Sequence, residues 1–426
     1  MPTADPHVER TPVRCALLSV FYKDGVVELA RALHEHGAAL LSTGGTMKAI
    51  AAAGIPVKEV ADHTGFPEMM DGRVKTLHPR IHGGLLGRRD KAEHLAAMEK
   101  HSIAPIDLVC VNLYPFEETV ATPGATREEI IEKIDIGGPS MLRSAAKNHD
   151  AVAVLCDPAD YAAVIAEVET GGTTPATRRR LAAKAFTRTG TYDTAISEWF
   201  AHDAAGTAAG MPEQCTVRGG KVADLRYGEN PHQQAAFYRD GSGIGLGGAR
   251  VLTGGKELSY NNYLDLDGAI AVVNDLPSPA AVVVKHTNPC GAAVAESIRD
   301  ALANAWEGDP LSAFGSVIAA NAPFDLACAE FLTAGGKFVE AVAAPAFAPA
   351  AVELLRTKPK WGKNVRLVEV PDLGRIERGS ELRKVAGGLL VQSADAATAY
   401  AAELKVVGAT PLPADREGDA RLAQTL

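Results

Sequence analysis

The chain has 426 residues, too many for one ordinary core, and its length suggests two or three domains. Hydrophobic residues make up 46% and charged residues 22%, which excludes a disordered or fibrous chain. The net charge of -9 excludes the broad basic footprint of a nucleic-acid or anionic-membrane binder, so an anionic substrate requires a local basic pocket.

Residues 1–13 contain Pro2, Asp5, Pro6 and Glu9, lack the basic start and apolar run of a signal peptide, and are expected to form a flexible leader. Residues 15–20 read as a strand, and 26–36, apolar at helical spacing, as a helix. The apolar run 38–41 enters Ser42-Thr43-Gly44-Gly45-Thr46, read as a loop, with another helix from about Met47. Residues 107–112 and 151–156 are further strand candidates, each followed by helical sequence. This alternation favours a parallel sheet covered on both faces, an α/β fold. Residues 174–202 read as one or two helices, and 203–220, rich in Ala, Gly and small polar residues, as a linker between domains 14–202 and 221–426. The second region again mixes strands (280–285, 316–320) with alanine-rich helices. The apolar segment 338–355 is interrupted by Glu340, Pro345, Pro349 and Glu353 and is no membrane span. Six cysteines without Cys-x-x-Cys spacing suggest neither a zinc knuckle nor a disulfide framework and point to a reducing compartment, the cytoplasm.

Several polar segments stand out, some of them where strands should end. Glycines in Ser42 to Thr46 let backbone N–H groups approach a phosphate at a helix start, with Ser19 and Lys23 after the first strand as further donors; a plain turn is the alternative. The segment is neither a Walker loop nor Gly-x-Gly-x-x-Gly. Asp71-Gly72-Arg73-Val74-Lys75-Thr76-Leu77-His78-Pro79 is dense enough in cations and hydrogen-bonding groups to handle an anion, or is a solvated surface loop. His78 and His82 lie four apart, but Pro79 stands between them and no zincin glutamate follows, so no metal is expected. Asn112 and Tyr114 fall at a strand's carboxyl end, where open parallel sheets bind ligands, unless Tyr114 merely caps the core. Asp135 before two glycines and Lys147 beyond them form an acid/base pair only if the fold brings them together.

In this order, Thr64-Gly65-Phe66-Pro67-Glu68-Met69, Gly72 to Pro79, Asn112-Leu113-Tyr114-Pro115-Phe116 and Ile134-Asp135-Ile136-Gly137-Gly138 resemble the cyclohydrolase domain of the bifunctional purine-biosynthesis family that joins AICAR transformylase to IMP cyclohydrolase. The resemblance runs from Arg14 to about Phe200. It implies a methylglyoxal-synthase-like α/β domain that closes FAICAR to IMP without metal or cofactor. Ser19, Lys23 and Ser42, Thr43, Gly44, Gly45 and Thr46 would hold the phosphate, and Arg73, Lys75, Thr76, Asn112, Tyr114, Asp135, Gly137 and Lys147 would surround the reacting groups. Lys75, Tyr114 and Lys147 suit oxyanion stabilisation, Asp135 suits removal of the amide proton, and Lys147 suits departure of water. The chain departs from the family at Phe21, where many members carry a serine assigned to phosphate, and weaker or rearranged phosphate contacts are expected there.

In the second region, Asp224 to Gln233, Gly255 to Asn262, Lys285-His286-Thr287-Asn288-Pro289-Cys290-Gly291 and Asp309 to Gly315 resemble the family's transformylase half. The likeness implies a cytidine-deaminase-like fold without zinc that transfers a formyl group from the co-substrate 10-formyltetrahydrofolate to AICAR. His286 would move the amine proton, Lys285 would polarise the formyl oxygen, and Arg226, Tyr227 and His232 would bind the nucleotide phosphate. Cys290 reads as a buried structural thiol. The chain ends at Leu426, before the family's final stretch. An incomplete, impaired transformylase beside a working cyclohydrolase is therefore expected, or a fragment of a parent with both activities. The family likeness implies a homodimer. A cyclohydrolase with the second region as a dimerisation scaffold and a non-catalytic nucleotide sensor are the alternatives; without the likeness, a dinucleotide oxidoreductase would be runner-up to a phosphate-binding enzyme, against the missing glycine fingerprint.

Overall fold

The computed structural model describes residues 9–205, 211, 213–253, 255–374, 376, 379–394, 405–408 and 410–425. The first eight residues of the expected leader, and 206–210 and 212 of the expected linker, lie outside it. The chain divides into two compact units between Thr216 and Val217.

The first unit is built on β1 (Cys15–Ser19), α1 (Val26–Glu35), β2 (Ala39–Ser42), α2 (Gly44–Ala52), β3 (Lys58–Glu59), α3 (Val60–Thr64), α4 (Pro79–Leu86) and α5 (Ala92–Lys100). It continues with β4 (Leu108–Val111), α6 (Phe116–Val120), α7 (Arg127–Glu132), α8 (Gly137–Lys147), β5 (Ala153–Leu155), α9 (Tyr161–Glu169) and α10 (Pro175–Ala205). The five strands form one parallel sheet in the order β3-β2-β1-β4-β5. Ala16, Leu17 and Leu18 of β1 and Leu108, Val109 and Cys110 of β4 are fully buried, as unbroken apolar strands must be when helices cover both faces. On α1, Val26, Leu29, Ala30 and Leu33 make the buried stripe that the helical spacing demands. The strand order reverses between β1 and β4, so a crevice opens at their carboxyl ends.

Three expectations are corrected here. The helix expected from Met47 starts at Gly44, so Gly44, Gly45 and Thr46 form its first turn rather than a loop. Residues 174–202 become one helix that runs on to Ala205, three residues into the expected linker. The end of the leader is anchored: Thr11 pairs with Thr173 through two backbone bonds of 2.9 Å, and Arg10 Nη1 donates to the Gly172 carbonyl at 3.1 Å. Only glycine fits there, since a Cβ on Gly172 would stand 2.1 Å from the Thr11 oxygen.

The second unit contains β6 (Gly220–Leu225), β7 (Ala235–Arg239), β8 (Arg250–Val251), α11 (Tyr260–Asn274), β9 (Ala280–Lys285), β10 (Asn288–Val294), α12 (Ile298–Gly308) and α13 (Pro310–Ala313). After them come β11 (Ser316–Ala320), α14 (Leu326–Thr333), β12 (Val339–Ala344), α15 (Pro349–Thr357), β13 (Arg366–Glu369), β14 (Ser380–Val385), β15 (Gly388–Ser393) and α16 (Glu417–Thr425). A six-stranded mixed sheet, β10-β9-β11-β12-β13-β8, is covered on both faces. Along β9 the side chains alternate: Ala281 and Val283 join one apolar cluster, and Ala280, Val282 and Val284 the other. The segment after Lys285 is a hairpin, because β10 returns antiparallel to β9 with Asn288 opposite Lys285. No helix among the described residues is long and apolar enough to cross a membrane.

Candidate active site

At the carboxyl ends of β1, β2 and β4 lies a cavity of about 520 Å³, bounded by the first turns of α2 and α8. One end is built for an anion. Thr43 stands just before α2, its hydroxyl 2.8 Å from that of Ser19. A Cβ on Gly44 would stand 3.2 Å from Lys75 Nζ, and one on Gly45 3.8 Å from Lys23 Cε, so the glycine pair lies between two cationic side chains. Lys23 donates to the Phe21 carbonyl at 2.8 Å and also to the Val20 carbonyl, and burial lowers its pKa. Thr46 lines this end but exchanges hydrogen bonds with the Val20 backbone at 2.9 and 3.0 Å.

The same cavity is lined by the remaining reactive side chains. Lys75 is paired with Glu68 at 2.7 Å, and Arg73 with Glu132. Gly72 permits the first pair, for it takes φ 89° and a Cβ there would stand 2.7 Å from Glu68 Oε1. Thr76 is buried beside Gly137, whose absent Cβ would fall 2.8 Å from the Thr76 hydroxyl. Tyr114 is 45% exposed, so it does not cap the core; it faces the cavity and packs edge-on against Phe21 at 5.8 Å. Burial, with Asp135, Glu132 and Glu68 nearby, raises the Tyr114 pKa and keeps its hydroxyl a donor. Asp135 Oδ1 accepts the Gly138 N–H at 2.8 Å. Burial raises this carboxyl above its ordinary value, opposed by hydrogen bonds from the Gly138 and Tyr114 backbones.

Other residues assigned here by resemblance are placed differently. Ser42 does not line the cavity: it shares a strand face with Leu40, and its buried hydroxyl donates to the Leu18 carbonyl at 2.6 Å. Lys147 is exposed in the last turn of α8, roughly 15 Å of helix rise beyond Gly137, so the first unit does not bring it to Asp135 as a pair. Asn112 reaches the cavity but spends its amide on the turn after β1, accepting from the Phe21 and Tyr22 N–H groups and donating to the Tyr22 carbonyl at 2.9 Å. Phe21 lines the cavity, and Tyr22 is tethered through its hydroxyl to Glu118 at 2.5 Å. His78 accepts the Arg80 N–H at the start of α4, while His82 bonds Ser144 at 3.0 Å, so the two imidazoles are engaged separately.

In the second unit, Lys285, His286, Asn288, Cys290, Leu311 and Ser312 line a cleft at the β9–β10 turn. His286 and Thr287 occupy the two turn positions with φ of 55° and 63°, a strained conformation for a β-branched residue. Asp265 holds it by accepting the Thr287 N–H at 2.8 Å. Lys285 donates to the Phe314 carbonyl at 2.6 Å, and Cys290 is half-buried rather than buried. Arg226, Tyr227 and His232 lie on the connection between β6 and β7 and are not among the residues lining this cleft. They are polar residues of the connection between a mostly exposed strand and a half-buried one, and Arg226 stacks on Tyr227 at 5.6 Å.

Glu68, Glu132 and Tyr192 were not legible as site residues. Glu68 fell within a family-like stretch, but nothing in its spacing pairs it with Lys75.

Residues 145–426 match the model of the AICARFT/IMPCHase bienzyme family, and residues 25–140 that of the MGS-like domain. The chain is 49% identical over 407 residues to the bifunctional purine biosynthesis protein PurH of Rhodopirellula baltica, covering 95% of this chain and 77% of that one. It is 51% identical over 397 residues to the PurH of Acidithiobacillus ferrooxidans, covering 92% and 75%. The crystal structure of ForH matches 44% of this chain and 96% of its own at 40% identity, with a TM-score of 0.41. An MGS-like match at residues 25–140 precedes the bienzyme match, and half of all positions are shared with relatives over nearly the whole chain, so the chain belongs to the AICARFT/IMPCHase bienzyme family of purine biosynthesis.

Proposed function

We propose that the cavity of the first unit closes the purine ring of FAICAR with Lys75, Tyr114 and Asp135 as its reacting groups. The chain's two activities are those of its family: formyl transfer to AICAR, giving FAICAR, and dehydrative closure of FAICAR to IMP. Closure needs the carboxamide nitrogen to attack the formyl carbon of the same molecule. The enzyme's task is to hold two groups of one substrate in contact and to balance the charge that forms.

The phosphate sits at the first turn of α2, held by Ser19, Thr43, Gly44, Gly45 and Lys23, and this fixes the distance to the base. Thr76 and Gly137 shape the wall beside the carboxamide, and Arg73 stands at the rim. Asp135 takes the proton from the attacking nitrogen; its raised pKa makes it a stronger base than an ordinary carboxylate. Lys75 and Tyr114 donate to the formyl oxygen as it becomes an alkoxide. That oxygen then leaves as water, carrying the proton from Lys75 and the one Asp135 took from the amide; as the C–O bond breaks, the formamido nitrogen forms the ring C=N bond, and its N–H proton is released and restores Lys75. Lys147 has no part in this assignment. The observation that carries the reading is the convergence of Lys75, Tyr114 and Asp135 on one cavity that Gly44 and Gly45 also line.

In the second unit, His286 takes the AICAR amine proton and Lys285 polarises the formyl group of 10-formyltetrahydrofolate. The support is their place together at a strained turn lining one cleft. Incubating the chain with FAICAR alone, and separately with AICAR plus 10-formyltetrahydrofolate, tests both halves. IMP from the first mixture and tetrahydrofolate from the second are expected, and failure of either product removes the corresponding assignment.

A further inference from the structure

The segment between α7 and α8 that carries Asp135 is short and irregular, so its backbone groups need partners from elsewhere. Two of them meet at one atom. The Tyr192 hydroxyl donates to the Lys133 carbonyl at 2.7 Å and accepts the Asp135 N–H at 2.9 Å. Tyr192 belongs to α10, 57 residues further along the chain, and is fully buried. Phe116 packs edge-on to its ring at 6.1 Å, and the Arg188 guanidinium lies over it at 5.5 Å, itself bonded to Glu117 at 2.8 Å.

A buried phenol at this place needs a reason, because phenylalanine would fill the same volume without a polar atom to satisfy. Both hydrogen bonds of this one go to the backbone of a single turn, on either side of Ile134. The same turn then delivers the carboxylate, whose Oδ1 closes on Gly138 at the start of α8. We infer that Tyr192 is a positioning residue of the cyclohydrolase site: its hydroxyl clamps the turn from Lys133 to Asp135 and thereby sets where the Asp135 carboxylate stands in the cavity. Burial pushes the phenol up to about 12, so the hydroxyl keeps the proton it donates to Lys133. The inference rests on Asp135 being the base that takes the amide proton.

The test is Tyr192→Phe in the full chain, read as kcat and KM for FAICAR closure together with the thermal midpoint. Misplacing a reacting group by ~1 Å costs up to about 10²-fold in rate. We expect kcat to fall by at least about tenfold while KM stays within about threefold. Tyr161→Phe is the control: this hydroxyl is also buried, but its hydrogen-bond partner is Cys110 Sγ at 3.1 Å, on β4 rather than on the turn, and kcat should hold. Combining Tyr192→Phe with Asp135→Asn completes a cycle, in which loss of the hydroxyl should cost nothing further once the carboxylate is gone. If Tyr192→Phe lowered kcat by the same factor whether or not Asp135→Asn was also present, or if Tyr161→Phe lowered it as much as Tyr192→Phe, the inference would be overturned. So would undiminished kcat in Tyr192→Phe. Full turnover in Asp135→Asn alone would overturn the base assignment and the clamp with it, whereas an inactive Asp135→Asn beside a fully active Tyr192→Phe would overturn the clamp alone.

Discussion

Asp135 is held in an environment that suits its chemistry and works against the fold. Burial raises its pKa, so the folded protein binds its proton more tightly than the unfolded chain does. Its contribution to stability is therefore full below the ordinary carboxylate pKa of about 3.9 and is lost as pH rises through the raised value. Activity runs the other way, since only the ionised form accepts the amide proton. Asp135→Asn keeps the oxygen that accepts the Gly138 N–H and removes the charge. It should lower kcat by about 10²- to 10⁴-fold while raising the melting temperature at pH 7, by about 2–4 °C for each ~1 kcal/mol relieved. That gain should vanish below about pH 4, which thermal scans at two pH values would check. Lys75→Met removes a donor to the developing alkoxide, and a fall in kcat of about 10²- to 10³-fold is expected in steady-state assays with FAICAR. Tyr114 was legible as a candidate because it falls at a strand's carboxyl end, Lys75 because it sits in a dense polar stretch, and Asp135 because it precedes two glycines, each within a family-like motif. Glu68 was not, because its salt bridge depends on how the Gly72 turn folds back.

The first turn of α8 shows how an element serves the site rather than itself. Gly137 and Gly138 are poor helix formers, and alanine at an interior position would ordinarily favour the helix by about 1 kcal/mol. Here the glycines make room: a Cβ on Gly138 would stand 2.4 Å from Asp135 Oδ2 and 2.9 Å from Leu113 Cδ2. Gly138→Ala must push the carboxylate aside, and a loss of kcat of up to about 10²-fold is expected even where circular dichroism shows the helix intact. The start of α2 follows the same logic, with Gly44 taking φ 45° against the Lys75 ammonium. The sequence suggested a loop at Ser42 to Thr46 because glycines disfavour helix interiors. The structure has a helix there because hydrogen bonds between the Thr46 hydroxyl and the Val20 backbone, just after β1, fix its first turn.

At the scale of the whole molecule, each unit has its own sheet and its own buried core. The two chemistries should therefore separate under single substitutions. Asp135→Asn should slow IMP formation from FAICAR by about 10²- to 10⁴-fold and leave release of tetrahydrofolate from AICAR plus 10-formyltetrahydrofolate unchanged. His286→Ala should do the reverse, lowering formyl transfer by about 10²- to 10⁴-fold. A substitution that removed both products would show the two sites to be coupled.

The sequence by itself determined β1, β2, β4 and β5 of the first unit's sheet and the helix α1, the strands at Ala280–Lys285 and Ser316–Ala320, and the family, because each rests on local periodicity or on motifs read in order. Only the tertiary structure decided which of the motif residues share a cavity. Ser42 was turned inward by the alternation of β2, Lys147 was carried away by the rise of α8, and Asn112 was committed to the backbone of another strand's turn. Tyr192 was brought to Asp135 across 57 residues. Local pattern fixes the face and period of an element; the partner of a buried polar group is chosen by packing between elements distant in the chain, and no spacing records it.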